Sequence, residues 1–352
     1  MRDHHSGETL ELGVNRAGHA MVVRERLRAP PEEHADGVEV LYRAVLVEGA
    51  QRRVIVTRPR SAGTHPAILL VGGLGCYSLD GISPDEAPYG RLLYELTRDG
   101  YVTMRVEKTG EGDSRGPPCT APEADFKLEV AGYVAGLKAL GAYAFVDPTR
   151  VFIFAHSIGP LDAALVAQQA PVRGIIAAET IGRGWFDYEL EIVRQQPLEL
   201  GSPYDEVERS TRRLERCLHQ FYVEKVSAKE LMNADRECRD ILVPGIPDAY
   251  LHQVGDLDLA AEWKRLDVPV LVIYGTSDPA TSPDEGRYLV NMINSFHPGR
   301  ATYVEISGMA HVLNPSASKG DFLRDHGGPH PQLHPSVLPT VRDWLHAHGS
   351  GI

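Results

Sequence analysis

The sequence predicts an α/β fold: a mostly parallel eight-stranded sheet flanked by helices, with a helical cap inserted late in the chain. Three observations predict it. From Gly37 onward, short β-branched apolar runs alternate with longer amphipathic ones, which is the rhythm of strand–helix units. The interval from 181 to 266 breaks that rhythm with charged, helix-like sequence and no convincing strand. The chain's 352 residues, 43% hydrophobic and 24% charged, are enough to bury one large core.

The strands follow in order. "VEVLYRAVLV" (38–47) and "RRVIVTRP" (52–59) read as an antiparallel edge hairpin. "PAILLVGG" (66–73), "YVTMRVE" (101–107), "VFIFAHS" (151–157), "VRGIIAAE" (172–179), "VPVLVIYG" (268–275) and "ATYVEIS" (301–307) complete the sheet. Helices are expected at Gly90 to Arg98, in the segment ending near Leu140, and at Ile158 to Gln169, Pro283 to Phe296 and Pro335 to His348. Each follows a strand, as parallel units require. Within the cap, Val207, Thr211, Leu214, Leu218, Phe221 and Val226 recur at close to helical spacing. The expected division is an N-terminal extension of no assigned role (1–36), a core of 37–180 and 267–352, and a cap of 181–266. The Gly, Pro, Ser and His-rich stretch 314–336 reads as a long loop. Its His326, His330 and His334 lack ligand spacing, so no metal is expected, and no motif calls for a cofactor.

Composition excludes several classes of partner. A formal charge of −12 without basic runs argues against nucleic acid and anionic membrane surfaces. No apolar run approaches bilayer length, and the first thirty residues lack the apolar stretch of a signal peptide. Cys76, Cys119, Cys217 and Cys238 have no paired CxxC spacing and read as reduced thiols in a cytoplasmic protein. A small molecule is the expected partner; the sequence does not give the oligomeric state.

The chemistry centres on "AHSIG". A strand, then small-x-Ser-x-Gly, then a helix is the form of a tight turn that lifts a serine, here Ser157, out of the sheet. Ala155 and Gly159 keep that turn unobstructed, and Pro160 falls where its missing N–H is harmless. A serine hydroxyl needs a base, and the base needs an acid. Asp278, just past "VPVLVIYG", and His311, in "GMAH" just past the last strand, supply them at the carboxyl rim of the sheet. Glu179, ending its own strand, is the reserve acid. An oxyanion requires two backbone N–H groups; Ile158 offers one and Gly73 in "GGLG" the other, with Leu74 in its place if the register shifts by one.

Together these segments resemble the α/β-hydrolase superfamily, and within it the serine aminopeptidase-like branch of proline iminopeptidase-type enzymes and esterases. The resemblance runs from about residue 38 to the C-terminus, on "VGGLG", "EKTGEGDSRG", "AHSIG", "GTSDPATS" and "GMAH". Val71 departs from the family's histidine before the oxyanion glycines, and Glu107 and Thr109 depart from its Asp and Arg. Glu107, Lys108, Glu111 and Asp113 read as a solvated turn, and Glu189, Glu191, Asp205, Glu206 and Glu208 as a solvated helical face. The resemblance implies a serine hydrolase that forms an acyl-enzyme on Ser157 and cleaves an ester, thioester or related acyl bond. An aminopeptidase or amide hydrolase, or an acyltransferase using the same residues, is the alternative. A ligand-binding protein without turnover is opposed by the intact Ser, Asp, His order. Tyr77, Trp185, Phe186, Tyr188, Phe221, Tyr222 and Trp263 are the expected pocket walls for a small-molecule acyl substrate.

Overall fold

The computed structural model describes residues 7–28, 32–80, 87–241, 245–326, 328 and 331–349. The extension forms a hairpin, β1 (Thr9–Arg16) and β2 (His19–Arg26), turning at Ala17 and Gly18 with φ of 52° and 82°. Two successive positive φ values suit the twist of a two-residue hairpin turn. This hairpin went unread because its strands are exposed on nearly every side, so no buried face imposes an apolar pattern.

The main sheet holds β3 (Val38–Val47), β4 (Ala50–Pro59), β5 (His65–Val71), β6 (Val102–Val106), β7 (Val146–His156), β8 (Gly174–Ala178), β9 (Val270–Gly275) and β10 (Ala301–Ile306). Their order is β10-β9-β8-β7-β5-β6-β4-β3. The β3–β4 and β4–β6 pairs are antiparallel and the rest parallel. After β5 the chain moves to one side for β6 and returns to the other for β7. The loops leaving β5 and β7 therefore diverge and leave a crevice at their carboxyl ends.

Helices α1 (Pro88–Arg98), α2 (Phe126–Ala142) and α3 (Gly159–Val166) connect the first parallel strands. The interval expected as a cap carries α4 (Trp185–Glu199), α5 (Tyr204–Leu218), α6 (Ala228–Ala234), α7 (Asp248–Gly255) and α8 (Leu259–Lys264). The chain closes with α9 (Pro283–Phe296), α10 (Lys319–Asp325) and α11 (Val337–Gly349). α10 lies inside the stretch expected to be only loop, started by Ser318, whose hydroxyl accepts from the Asp321 amide.

Side-chain alternation divides the core. Val54, Val56, Leu69, Val71, Ile153 and Ala155 face one side, with α2 and α3. Ile68, Leu70, Phe152, Phe154, Ile176 and Ile273 face the other, with α1 and α11. Apolar residues on both faces explain why the central strands read as unbroken apolar runs.

All four cysteines are paired, which overturns the expectation of reduced thiols. Cys76 bonds Cys119 and Cys217 bonds Cys238, across sequence separations of 43 and 21. Such separations carry no local signal; only folding brings the Cα atoms to 5.6 and 5.4 Å. The ground for a cytoplasmic assignment goes with the free thiols. Among the described residues no helix is long and apolar enough to cross a membrane.

The segment after the hairpin is tied to the core. Glu33 receives Nη1 and Nη2 of Arg105 on β6 at 2.8 and 2.7 Å, and Tyr94 donates its hydroxyl to the same carboxylate. Both partners of the ion pair are buried. Glu33→Ala leaves the guanidinium unpaired and is expected to lower folding stability by about 3–5 kcal/mol. Deleting residues 1–28, which removes the hairpin, exposed among its described residues apart from Leu10, is expected to change the unfolding free energy by no more than ~0.5 kcal/mol; urea unfolding of both variants checks this.

Candidate active site

Ser157 follows β7 directly and has φ of 62°, a left-handed conformation that strains a residue with a side chain. Its amide donates to Ala178 O at 3.0 Å, fixing the turn to the neighbouring strand. Gly159 is required by close approach: a Cβ there would lie 2.7 Å from Val71 O and 2.8 Å from Gly72 O. Pro160 occupies the first turn of α3.

His311 and Asp278 come to this serine from the loops after β10 and β9. His311 Nε2 lies 3.0 Å from Ser157 Oγ, and His311 Nδ1 lies 2.9 Å from Asp278 Oδ2. Asp278 is fully buried and also accepts the Ala280 amide at Oδ1 and the Thr281 hydroxyl at Oδ2, both at 2.7 Å. Burial would raise its pKa, but the charge and hydrogen bond of His311 outweigh burial and hold the carboxyl well below the usual range. Burial likewise opposes the imidazolium of His311, and the Asp278 carboxylate overcomes it, raising the histidine above its ordinary value.

The oxyanion candidates flank the hydroxyl. A Cβ on Gly73 would stand 3.6 Å from Ser157 Oγ, and Ile158 caps α3 beside it. The Gly73 amide faces the Tyr89 hydroxyl, and the amides of Leu74 and Ile158 make no backbone hydrogen bond among the described residues. The Gly73 carbonyl accepts Lys108 Nζ at 2.7 Å and the Tyr77 hydroxyl at 3.0 Å. Lys108 is buried and paired with Glu129 at 3.1 Å, which in turn accepts the Tyr250 hydroxyl. The Cys76–Cys119 disulfide ties the same loop to the segment after β6. Glu107 accepts the Ser78 hydroxyl and the Leu79 amide at 2.9 and 2.8 Å, and burial pushes its carboxyl up to about 7. The expectation of a solvated turn is thus corrected: Glu107, Lys108 and Glu111 are buried, Glu107 and Lys108 hold the loop after β5, and Asp113 is half-buried against Arg53.

A cavity of about 400 Å³ opens beside Ser157 and His311. Its wall is mostly apolar, with Leu74, Tyr77, Leu79, Tyr89 and Val312, and also includes His326 and Pro331. Of the expected wall residues Tyr77 is present. Trp185, Phe221, Tyr222 and Trp263 are instead buried in the main core, with Phe186 and Tyr188 packed against it. Large aromatic surfaces gain most from burial against the sheet, and the Trp185 indole satisfies its N–H on Tyr222 Oη at 2.8 Å. Glu189 departs from the expected solvated face and is buried, which raises its carboxyl to about 7.

His156 and Tyr89 were not foreseen as site residues. Tyr89 donates its hydroxyl to His156 Nδ1, and His156 Nε2 donates to His311 O at 2.6 Å. Burial, reinforced by His311, drives the His156 pKa down to about 3 and keeps the ring neutral. The sequence signal was its place beside the serine. Glu179 lies buried at the end of β8 and makes no hydrogen bond with His311. The tight groups of ligand-type residues among those described, Cys76–Glu111–Cys119 and Cys217–Asp235–Cys238, contain disulfide sulfurs with no thiolate to offer a metal. His330 lies outside the described residues.

The fold agrees with what this chain resembles. The family described as "Alpha/beta hydrolase family" matches residues 68–324. Esterase EstD of Thermotoga maritima is 25% identical over 224 residues, 63% of this chain and 49% of that protein, so the chain spans about half the length of this curated relative. Among solved structures, Est1E from Butyrivibrio proteoclasticus has a TM-score of 0.55 at 13% identity, covering 87% of this chain and 98% of that one. A thermostable esterase from Pseudomonas putida ECU1011 has a TM-score of 0.54 at 19% identity, over 90% and 85%. Proline iminopeptidase of Mycobacterium smegmatis has a TM-score of 0.54 at 18%, over 88% and 99%. At these identities the structural likeness is one of fold. The family match runs from β5 through α10 and takes in Ser157, Asp278 and His311: the chain belongs to the alpha/beta hydrolase family.

Proposed function

We propose that the protein is a serine esterase that hydrolyses uncharged, largely apolar acyl esters through an acyl-enzyme on Ser157. One observation carries this: Ser157 Oγ, His311 and Asp278 stand in line at 3.0 and 2.9 Å on the wall of an apolar cavity. Neutral His311 takes the hydroxyl proton at Nε2 as Ser157 attacks the ester carbonyl, and Asp278 holds the tautomer and stabilises the imidazolium. The amides of Gly73 and Ile158 receive the oxyanion. The imidazolium then protonates the departing alkoxide, and water activated by the same histidine releases the acid. No carboxylate among the described residues lines the cavity to clamp a free amine, which favours ester over aminopeptidase chemistry. The esterase relative supports the same choice.

The test is labelling by a fluorophosphonate together with hydrolysis of a chain-length series of p-nitrophenyl esters. Native protein is expected to take the label and Ser157→Ala to lose it, with kcat down by about 10⁴–10⁶. Label retained on the variant removes Ser157 from the mechanism.

His311 acts in its neutral form, and its pKa is raised, so activity is lost as the pH falls through a value above the ordinary ~6.5. The pH profile of kcat/KM should therefore show its acid limb above about 6.5. His156, held neutral down to about 3, should add no second limb.

Lys108 positions the oxyanion loop through the Gly73 carbonyl. Lys108→Met paired with Glu129→Gln leaves the net charge of the buried site unchanged while removing one of that carbonyl's two donors, the other being Tyr77. Stopped-flow and steady-state assays are expected to show kcat lower by about 10–100-fold with KM little changed.

A further inference from the structure

Glu179 is a buried acid that the reaction above does not use. It ends β8 with φ of 50°, a strained conformation that a glycine would hold freely. Its residue is wholly buried, and neither carboxyl oxygen closes a hydrogen bond of good geometry. Leaving one such group unsatisfied costs about 1–3 kcal/mol, and more if it is charged. Around it lie the Asp278 carboxylate, the Gly275 amide and the Thr281 hydroxyl. Its amide donates to Ile273 O at 2.9 Å, which sets it in register with the strand that leads to Asp278.

The partner Glu179 lacks is an acceptor, and Asp278 has one acceptor site to offer. That carboxylate has about four acceptor positions, and three are filled: Oδ2 by His311 and Thr281, and Oδ1 by the Ala280 amide. Two neighbouring carboxyls in a dry site do not both ionise. Asp278 already accepts from His311, Thr281 and the Ala280 amide, so Glu179 is the one that keeps its proton.

We propose that Glu179 stands protonated beside Asp278 and is a positioning residue, its carboxyl O–H donating to the remaining acceptor site of the acid that orients His311. The O–H draws off part of the Asp278 charge, so His311 is less basic than Asp278 alone would make it. Burial and the adjacent Asp278 charge both push the Glu179 carboxyl well above the usual range, in the same sense. The other titratable groups facing this cluster are Tyr274 on β9, Tyr303 on β10, His156 on β7, Tyr188 on α4 and His311 itself.

The inference rests on the serine hydrolase reading, and the experiment separates the two. Fluorophosphonate labelling rates are measured from pH 5 to 9 for native protein, Ser157→Ala, Glu179→Gln and Glu179→Leu, alongside urea denaturation of each. Glu179→Gln keeps a neutral donor and is expected to hold the acid limb within ~0.3 pH units of native. Glu179→Leu removes the donor and should move the limb upward by about half to one unit. A downward shift of about one unit in Glu179→Gln means that the native residue is ionised and overturns the proposal. A native profile in folded Glu179→Leu makes the residue mere packing, and also overturns it. If Glu179→Leu fails to fold, the direction of the Glu179→Gln shift decides alone. Label on Ser157→Ala defeats the nucleophile assignment instead.

Discussion

The site depends on a backbone approach at the end of β7. Gly159 passes so near the carbonyls of Val71 and Gly72 that no side chain fits between them. That contact locks the loop after β5 against the first turn of α3. Beside it Ser157 takes a left-handed φ, and Gly73 approaches its side chain so closely that a Cβ on the glycine would stand 3.6 Å from the hydroxyl oxygen. The strain is tolerable because β7 lies between β5 and β8, with both faces buried, and has no freedom to relax.

Around this hinge the protein buries ionisable groups. Lys108 pairs with Glu129 beside the Gly73 loop, and Asp278 pairs with His311. Isolated, each of these groups would destabilise the fold by several kcal/mol. Paired, they fix one arrangement, since any slippage leaves a charge without its partner. His156 does the same without charge, joining Tyr89 to the carbonyl of His311 through a ring too buried to protonate. The His311 imidazole is thus held from three directions: Asp278, Ser157 and its own backbone.

The helices between 181 and 266 place their aromatic residues in the same core as the sheet. The wall beside Ser157 is built instead from the loop after β5, the start of α1 and the segments after β10. Tyr77, Tyr89, Val312 and His326 line the cavity beside Ser157, and the aromatic residues of that interval do not. The disulfides fit this division of labour. Cys76–Cys119 braces the oxyanion loop, and Cys217–Cys238 braces α5 against the turn that follows α6.

The sequence by itself determined the eight core strands, the helices that follow the parallel ones, and the candidate Ser157, Asp278 and His311 at the ends of theirs. Those features are written in local periodicity and turn chemistry, which short stretches of chain encode alone. Only the tertiary structure decided the partners of side chains far apart in sequence. Cys76 met Cys119, Glu33 met Arg105, Lys108 reached the Gly73 carbonyl, and Glu179 came to rest beside Asp278. It also turned the aromatic residues of 181–266 into core, because burial depends on what packs opposite, and a single stretch of sequence does not contain its own opposite face.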